Sequence, residues 1–133
     1  MATIQRFEDI QAWQMARELN GLINKLIDEG LFQKNFTLID QIRRSAGSVM
    51  DNIAEGFERG TRKEFIVFLG YSKGSCGELR SQLYRTFDNG YISETQFSTF
   101  AEIAISISKM LQKLIEYLQQ TNIAGVRNRN KEK

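Results

Sequence analysis

The chain has 133 residues, of which 41% are hydrophobic and 26% are charged, a composition typical of one globular domain. It contains no histidine and a single cysteine, Cys76, which excludes Ser-His and Cys-His nucleophile pairs, an internal disulfide and any multi-cysteine metal site. Proline is also absent, which favours long uninterrupted helices. We therefore expect no catalytic residues, no metal and no cofactor.

The formal net charge of +2 is distributed unevenly along the chain. Residues 122–133 carry +3, including Arg127 and Arg129, whereas residues 1–121 carry −1. We therefore divide the chain into a helical body over 1–121 and a basic tail over 122–133. A tail of this kind is typical of a disordered arm that contacts phosphates, and a purely solubilising terminus is the alternative.

The first predicted helix runs from about Asp9 to Asp28, and Gly30 follows its end. The second runs from about Asn35 to Arg59. In both helices apolar residues recur every three or four positions, which places them on one face. These positions are Ala12, Met15, Ala16, Leu19, Leu22, Ile23, Leu26 and Ile27 in the first helix, and Ile39, Ile42, Ala46, Val49, Ile53 and Phe57 in the second.

Gly60 predicts the end of the second helix, and Thr61 with Glu64 predicts a capping box at the start of the third. Asn89 and Gly90 end the third helix, and a second capping box at Ser93–Gln96 begins the fourth. The fourth helix has an unbroken heptad seam of apolar residues from Phe97 to Leu118. The short links force neighbouring helices to run antiparallel, so the expected fold is all-α, an up-down-up-down four-helix bundle.

Apolar residues beyond the single stripe that each helix needs indicate that the bundle associates with copies of itself. Residues 65–69 are apolar all round the third helix, and the fourth helix carries a second set of apolar side chains. These residues indicate a homo-oligomer with closed symmetry, and a larger core within a single chain is the alternative. The second set comprises Ile103, Ile105, Met110, Ile115 and Tyr117.

Glycines in the middle of the third helix also require an explanation. Gly70, Gly74 and Gly77 each weaken the helix by about 1 kcal/mol relative to alanine. We interpret them as packing positions, where the third helix crosses the second tightly near Gly47, or where subunits meet.

The basic residues between Arg43 and Arg85 are the strongest functional candidates. This segment has a net charge of +3 and is richer in arginine than in lysine, which suits bidentate contacts with phosphate. A solvated, internally paired surface is the alternative. The candidate nucleic-acid contacts are Arg43, Arg44, Arg59, Arg62, Lys63, Arg80 and Arg85, together with Arg127 and Arg129 of the tail.

Three carboxylates on the second helix raise a different hypothesis. Asp51 and Glu55 lie four residues apart, with Glu58 following, and could share a divalent cation as nuclease carboxylates do. Pairing with arginines is the alternative for these acids. We assign Asn52 and Glu55 to packing or to a subunit interface.

Several segments resemble one known family, the small four-helix bundle proteins encoded by intervening sequences within bacterial 23S ribosomal RNA genes. The resemblance covers about residues 4–120, and the tail after Gln120 lies outside it. It rests on FEDIQAWQMA at 7–16, QIRRSAGSVMDNIAEG at 41–56, EF at 64–65, GSCGEL at 74–79 and GYI at 90–92.

The resemblance implies a pentameric ring of bundles, and it brings no settled biochemical activity and no catalytic residues. A related branch serves as the accessory protein of diversity-generating retroelements, where a basic pentamer binds nucleic acid and the reverse transcriptase. We therefore expect a non-enzymatic, homo-oligomeric protein that binds nucleic acid, with RNA favoured over DNA by the resemblance alone.

Two other functions stay open. One is an adaptor for a protein partner such as a reverse transcriptase, and the other is the carboxylate-dependent nuclease. The amino terminus lacks the features of a signal peptide, and no apolar run approaches the roughly 18 residues that span a bilayer. We therefore expect a cytoplasmic protein without a membrane partner.

Overall fold

A computed structural model describes residues 4–121, which form a short 3-10 helix at Phe7–Asp9 and four α-helices. The helices are α1 (Gln11–Asp28), α2 (Phe36–Glu58), α3 (Arg62–Asp88) and α4 (Glu94–Thr121). The described part of the chain contains no strand, which confirms the all-α prediction. No helix in it is both long and apolar enough to cross a bilayer. The predicted tail, with Arg127 and Arg129, lies outside the described residues.

The start of α1 differs from the prediction by two residues. Asp9 belongs to the 3-10 helix, where its carboxylate accepts hydrogen bonds from the backbone N–H groups of Gln5 and Arg6, each at 3.3 Å. Ile10 then adopts an extended backbone and buries its side chain in the core. Because Asp9 caps the preceding turn, α1 begins only at Gln11.

Hydrogen bonds form at both predicted capping boxes, between Thr61 and Glu64 at the start of α3 and between Ser93 and Gln96 at the start of α4. The Thr61 hydroxyl accepts a hydrogen bond from the Glu64 backbone N–H at 3.2 Å and donates one to the Glu64 carboxylate at 2.9 Å. At the start of α4, Ser93 and Gln96 each cap the other's backbone N–H. Gly60 has a φ of +85°, which allows the sharp reversal between α2 and α3.

Contacts between the helices establish an antiparallel bundle. Along α2 and α3, Gln41 contacts Arg85, and Val49 contacts Ser72, so residue numbers rise on one helix as they fall on the other. α3 and α4 also run antiparallel, since Lys73 contacts Gln112 and Tyr84 contacts Phe97. α1 packs against α2 and α4 and closes the bundle.

The core contains most of the predicted apolar stripes. Ile42, Val49 and Ile53 of α2 are buried, as are the matching faces of the other helices. Leu22 departs from the prediction, because 40% of its surface is exposed. Ile115, which the sequence assigns to the surplus on α4, belongs to this core. Cys76 is also buried, and this burial raises the pKa of its thiol to about 12. The positive charge of Arg80 has a smaller effect in the opposite direction, since it lowers this pKa.

The position of close helix approach differs from the glycine prediction. A Cβ on Gly70, Gly74 or Gly77 would meet nothing within 4 Å, and the same holds for Gly47. These glycines therefore do not pack against another helix within the described chain. Gly56 does, since a Cβ there would lie 2.6 Å from the Cβ of Phe68 and 3.2 Å from the ring of Phe65. The interpretation of Gly70, Gly74 and Gly77 as contacts between α2 and α3 is wrong.

Substitution of Gly56 tests this contact. We expect Gly56→Ala to lower the free energy of unfolding by about 1–3 kcal/mol, because the added methyl group collides with the fixed Cβ of Phe68. Gly21→Ala is the matched control, because Gly21 lies in the middle of α1 with open space around it. It should raise stability by about 0.4–1 kcal/mol. Equal effects of the two variants in urea denaturation would contradict the packing described.

Candidate nucleic-acid interface

The basic residues predicted to bind nucleic acid do not form one patch. Arg44 lies in the first half of α2 and Arg59 directly follows the last residue of this helix, about 22 Å away along the helix axis. Arg62 and Lys63 begin α3 beside Arg59, whereas Arg85 ends α3 beside Gln41. Arg59, Arg62 and Lys63 therefore form a group at the α2–α3 turn, and Arg43, Arg44, Arg80 and Arg85 lie away from it.

Arg59 stabilises the turn between α2 and α3. Its guanidinium contacts Glu55 at 2.9 Å and Glu64 at 3.3 Å, and lies 4.9 Å from the ring centroid of Phe68. The hydrogen bond that Arg59 donates to the Glu55 carboxylate is the largest of the effects that raise the pKa of Arg59. Arg59 therefore has internal partners on both helices although its side chain is 46% exposed, and Lys63 beside it at the turn is exposed as well.

Arg43 and Arg80 point to other sides of the bundle. Arg43 lies 4.0 Å from Asp28, which places its side chain toward α1. Arg80 is half-buried, seven residues after Lys73, and Lys73 donates a hydrogen bond to Gln112 of α4. Because residues seven apart share a helix face, Arg80 also lies on the α4 side of α3.

The remaining pair, Arg44 and Arg85, lies in a groove between α2 and α3. Arg85 donates a hydrogen bond to Gln41 at 2.9 Å, across 44 residues of sequence, and Arg44 contacts Asp40 at 3.2 Å. On each helix the polar residues of the groove lie three or four positions apart, so they share one helix face. This spacing is the signal in the sequence that identifies the groove. Its lining residues are Gln41, Arg44, Ser45, Ser48, Glu78, Ser81, Gln82 and Arg85.

The floor of this α2–α3 groove contains buried polar side chains that sequence reasoning missed. Ser45 and Gln82 are 3% and 5% exposed, and the Oε1 atom of Gln82 is buried without a hydrogen-bond partner among residues 4–121. The other two buried polar side chains are satisfied, since Ser72 donates to the Val49 carbonyl and Thr86 to the Gln82 carbonyl. The groove therefore has two arginines at its rim, and beneath them a buried serine and a carboxamide oxygen without a partner.

The acidic residues of α2 are arranged differently from a nuclease centre. Glu55 pairs with Arg59, and no group of three acidic or cysteine side chains in the described chain is placed to hold a metal ion. Asn52 donates to the carbonyl and hydroxyl oxygens of Ser48, at 2.9 and 2.8 Å, within its own helix. Asn52 and Glu55 therefore have their partners on α2 or at its end.

One side of α3 exposes apolar side chains. Val67, Tyr71 and Tyr84 are between 45% and 57% exposed. Gly70, Gly74 and Gly77 lie between them along the same helix and are exposed as well. We refer to these six residues as the α3 face.

Comparison with known proteins agrees with this architecture. A family model described as 23S rRNA-intervening sequence protein matches residues 8–113. The fold is similar to the crystal structure of a protein with unknown function from the S23 ribosomal protein family of Bacteroides thetaiotaomicron VPI-5482, with a TM-score of 0.74 and 25% sequence identity. That similarity covers 79% of this chain and 95% of the other. No curated protein matches the sequence. Because the family model spans most of the bundle, the chain belongs to the 23S rRNA-intervening sequence protein family.

Proposed function

We propose that the protein is a cytoplasmic, non-enzymatic, homo-oligomeric protein that binds structured RNA. The observation that carries this proposal is the α2–α3 groove, where folding brings Arg44 and Arg85 together from distant parts of the sequence. Two arginines on one face suit bidentate contact with phosphates. RNA is favoured over DNA by the family resemblance alone, since the family name records where its genes are found.

The environments of Glu55 and Cys76 support the proposed absence of catalysis. Glu55 is engaged by Arg59, and the pKa of the buried Cys76 thiol is about 12, so this thiol stays protonated at neutral pH. A thiol in that state is a poor nucleophile.

Self-association would multiply a modest affinity for phosphates. A ring of copies repeats the groove, and several weak contacts to one RNA give a much higher apparent affinity. The exposed α3 face supports association, because tyrosine and valine side chains beside bare glycines allow another helix to approach closely. The pentameric state that the family resemblance implies is part of this proposal.

The same exposed α3 face favours a second candidate function. An adaptor that binds a protein partner, such as a reverse transcriptase, would use these exposed apolar side chains as its docking surface. This alternative requires neither the arginines of the groove nor any affinity for RNA, so the binding experiment below separates the two functions.

Fluorescence anisotropy with a structured RNA tests the main proposal. We expect full-length protein to bind, and we expect the affinity to fall about 7- to 12-fold between 50 and 200 mM salt for each groove that contacts the RNA, as two phosphate contacts require. A 1–121 truncation should keep most of this binding and its salt dependence, because the groove lies within the bundle. Binding that disappears with the truncation would assign the contact to the tail, and no binding at low salt would leave the adaptor function.

Light scattering during size-exclusion chromatography tests self-association. We expect a mass several times the 15.3 kDa of one chain. Gly74→Gln should reduce that mass, because it adds a long polar side chain to the centre of the α3 face. Ser98→Gln, on the exposed surface of α4, is the matched control and should leave the mass unchanged. A monomeric wild-type protein would contradict the oligomeric proposal.

A further inference from the structure

We propose that the α2–α3 groove recognises the ribose of an RNA strand. Gln82 and Ser45 on its floor bind a 2′-hydroxyl, and Arg44 and Arg85 at its rim bind the flanking phosphates. This inference rests on the proposed function, and it adds a defined site and a reason for preferring RNA to DNA.

The first step concerns the buried polar groups on the floor. The Oε1 atom of Gln82 is buried and accepts no hydrogen bond from residues 4–121, although the side chain lines the groove. Ser45, one helix away, is buried beside the same groove. Buried polar atoms in folded proteins almost always have partners, because an unsatisfied one is destabilising. The unpartnered Oε1 atom of Gln82, beside the buried Ser45 in one groove, indicates a ligand that supplies its partner.

The second step identifies the chemistry of that ligand. Oε1 is an acceptor, so its partner must donate a proton from an O–H or N–H group. Phosphate oxygens and ionised carboxylates only accept, so a simple anion leaves Gln82 unsatisfied. A hydroxyl both donates and accepts, which matches the mixed donor and acceptor character of a carboxamide beside a serine. In nucleic acids, the ribose 2′-hydroxyl is the group of this kind that distinguishes RNA from DNA.

The third step concerns the rim. Arg44 contacts Asp40 through one of its two terminal nitrogens, and Arg85 contacts Gln41 through one of its own. Each guanidinium has five N–H donors, so both arginines keep donors for phosphate oxygens. Glu78 lines the groove about two helical turns before Arg85 and repels phosphate there. The charges thus place phosphates at the Gln41–Arg85 end, adjoining the buried carboxamide.

Gln82→Met tests the floor, because methionine has a similar length and no hydrogen-bonding group. Anisotropy would compare one structured RNA, the DNA of the same sequence and a 2′-O-methyl RNA. We expect the full-length wild-type protein to bind RNA about 5-fold more tightly than the other two, as one lost hydrogen bond implies. Gln82→Met should remove this preference and leave DNA affinity unchanged.

A charge-matched pair of variants tests the rim. Arg44→Gln should weaken binding to RNA and DNA alike by about 10-fold, as loss of a charge-assisted phosphate contact implies. Arg43→Gln changes the same charge one residue away, on the side that faces Asp28, and should weaken binding less than 2-fold.

The outcomes separate this inference from the proposed function. If wild-type protein binds RNA and Gln82→Met keeps the preference for RNA, the groove assignment is wrong while RNA binding stands. If wild-type protein binds no RNA, both fail. A change of oligomeric mass in Gln82→Met would make the groove an interface between copies and would overturn the assignment. Ser45→Ala gives a second test of the floor with a smaller change, should Gln82→Met fail to fold.

Discussion

The close antiparallel contact between α2 and α3 determines how the rest of the molecule is arranged. Gly56 leaves room for the Cβ of Phe68 near the turn, and the hydroxyl of Ser72 donates to the Val49 carbonyl at 2.6 Å in the middle of the pair. The hydroxyls of Ser75 and Ser48 meet at 2.9 Å beside it. These contacts fix the register of two long helices, and with it the identity of the side chains that meet further along.

The groove is a consequence of that register. Gln41 and Arg85 contact each other because α2 and α3 are aligned from the turn onward, and the same alignment brings Ser45 and Gln82 into one groove. Apolar faces of both helices are directed to the core, so the polar faces are left along the outer side of the pair. Gln82 is one of the four buried polar side chains among residues 4–121, and it lines this groove.

Most of the fold could be predicted because its signals are local. The 3–4 spacing of apolar residues, Thr61, Ser93 and the glycines at the turns each act within a few positions of the chain. The site could be predicted only in part. Gly56 and Gly74 look alike in the sequence, and only the rotation of α2 and α3 about their axes decides that one is packed and the other open. For the same reason, Arg43 and Arg44 are adjacent in sequence and face different neighbours.

Arginine modification in the presence of RNA would test directly whether nucleic acid lies in the α2–α3 groove. Full-length protein would be treated briefly with phenylglyoxal, with and without a structured RNA, and the modified arginines would be located by mass spectrometry. RNA in the groove should protect Arg44 and Arg85 while Arg43, on the side facing α1, reacts as before. Protection of Arg59 and Arg62 at the α2–α3 turn, with Arg44 and Arg85 still reactive, would contradict this location.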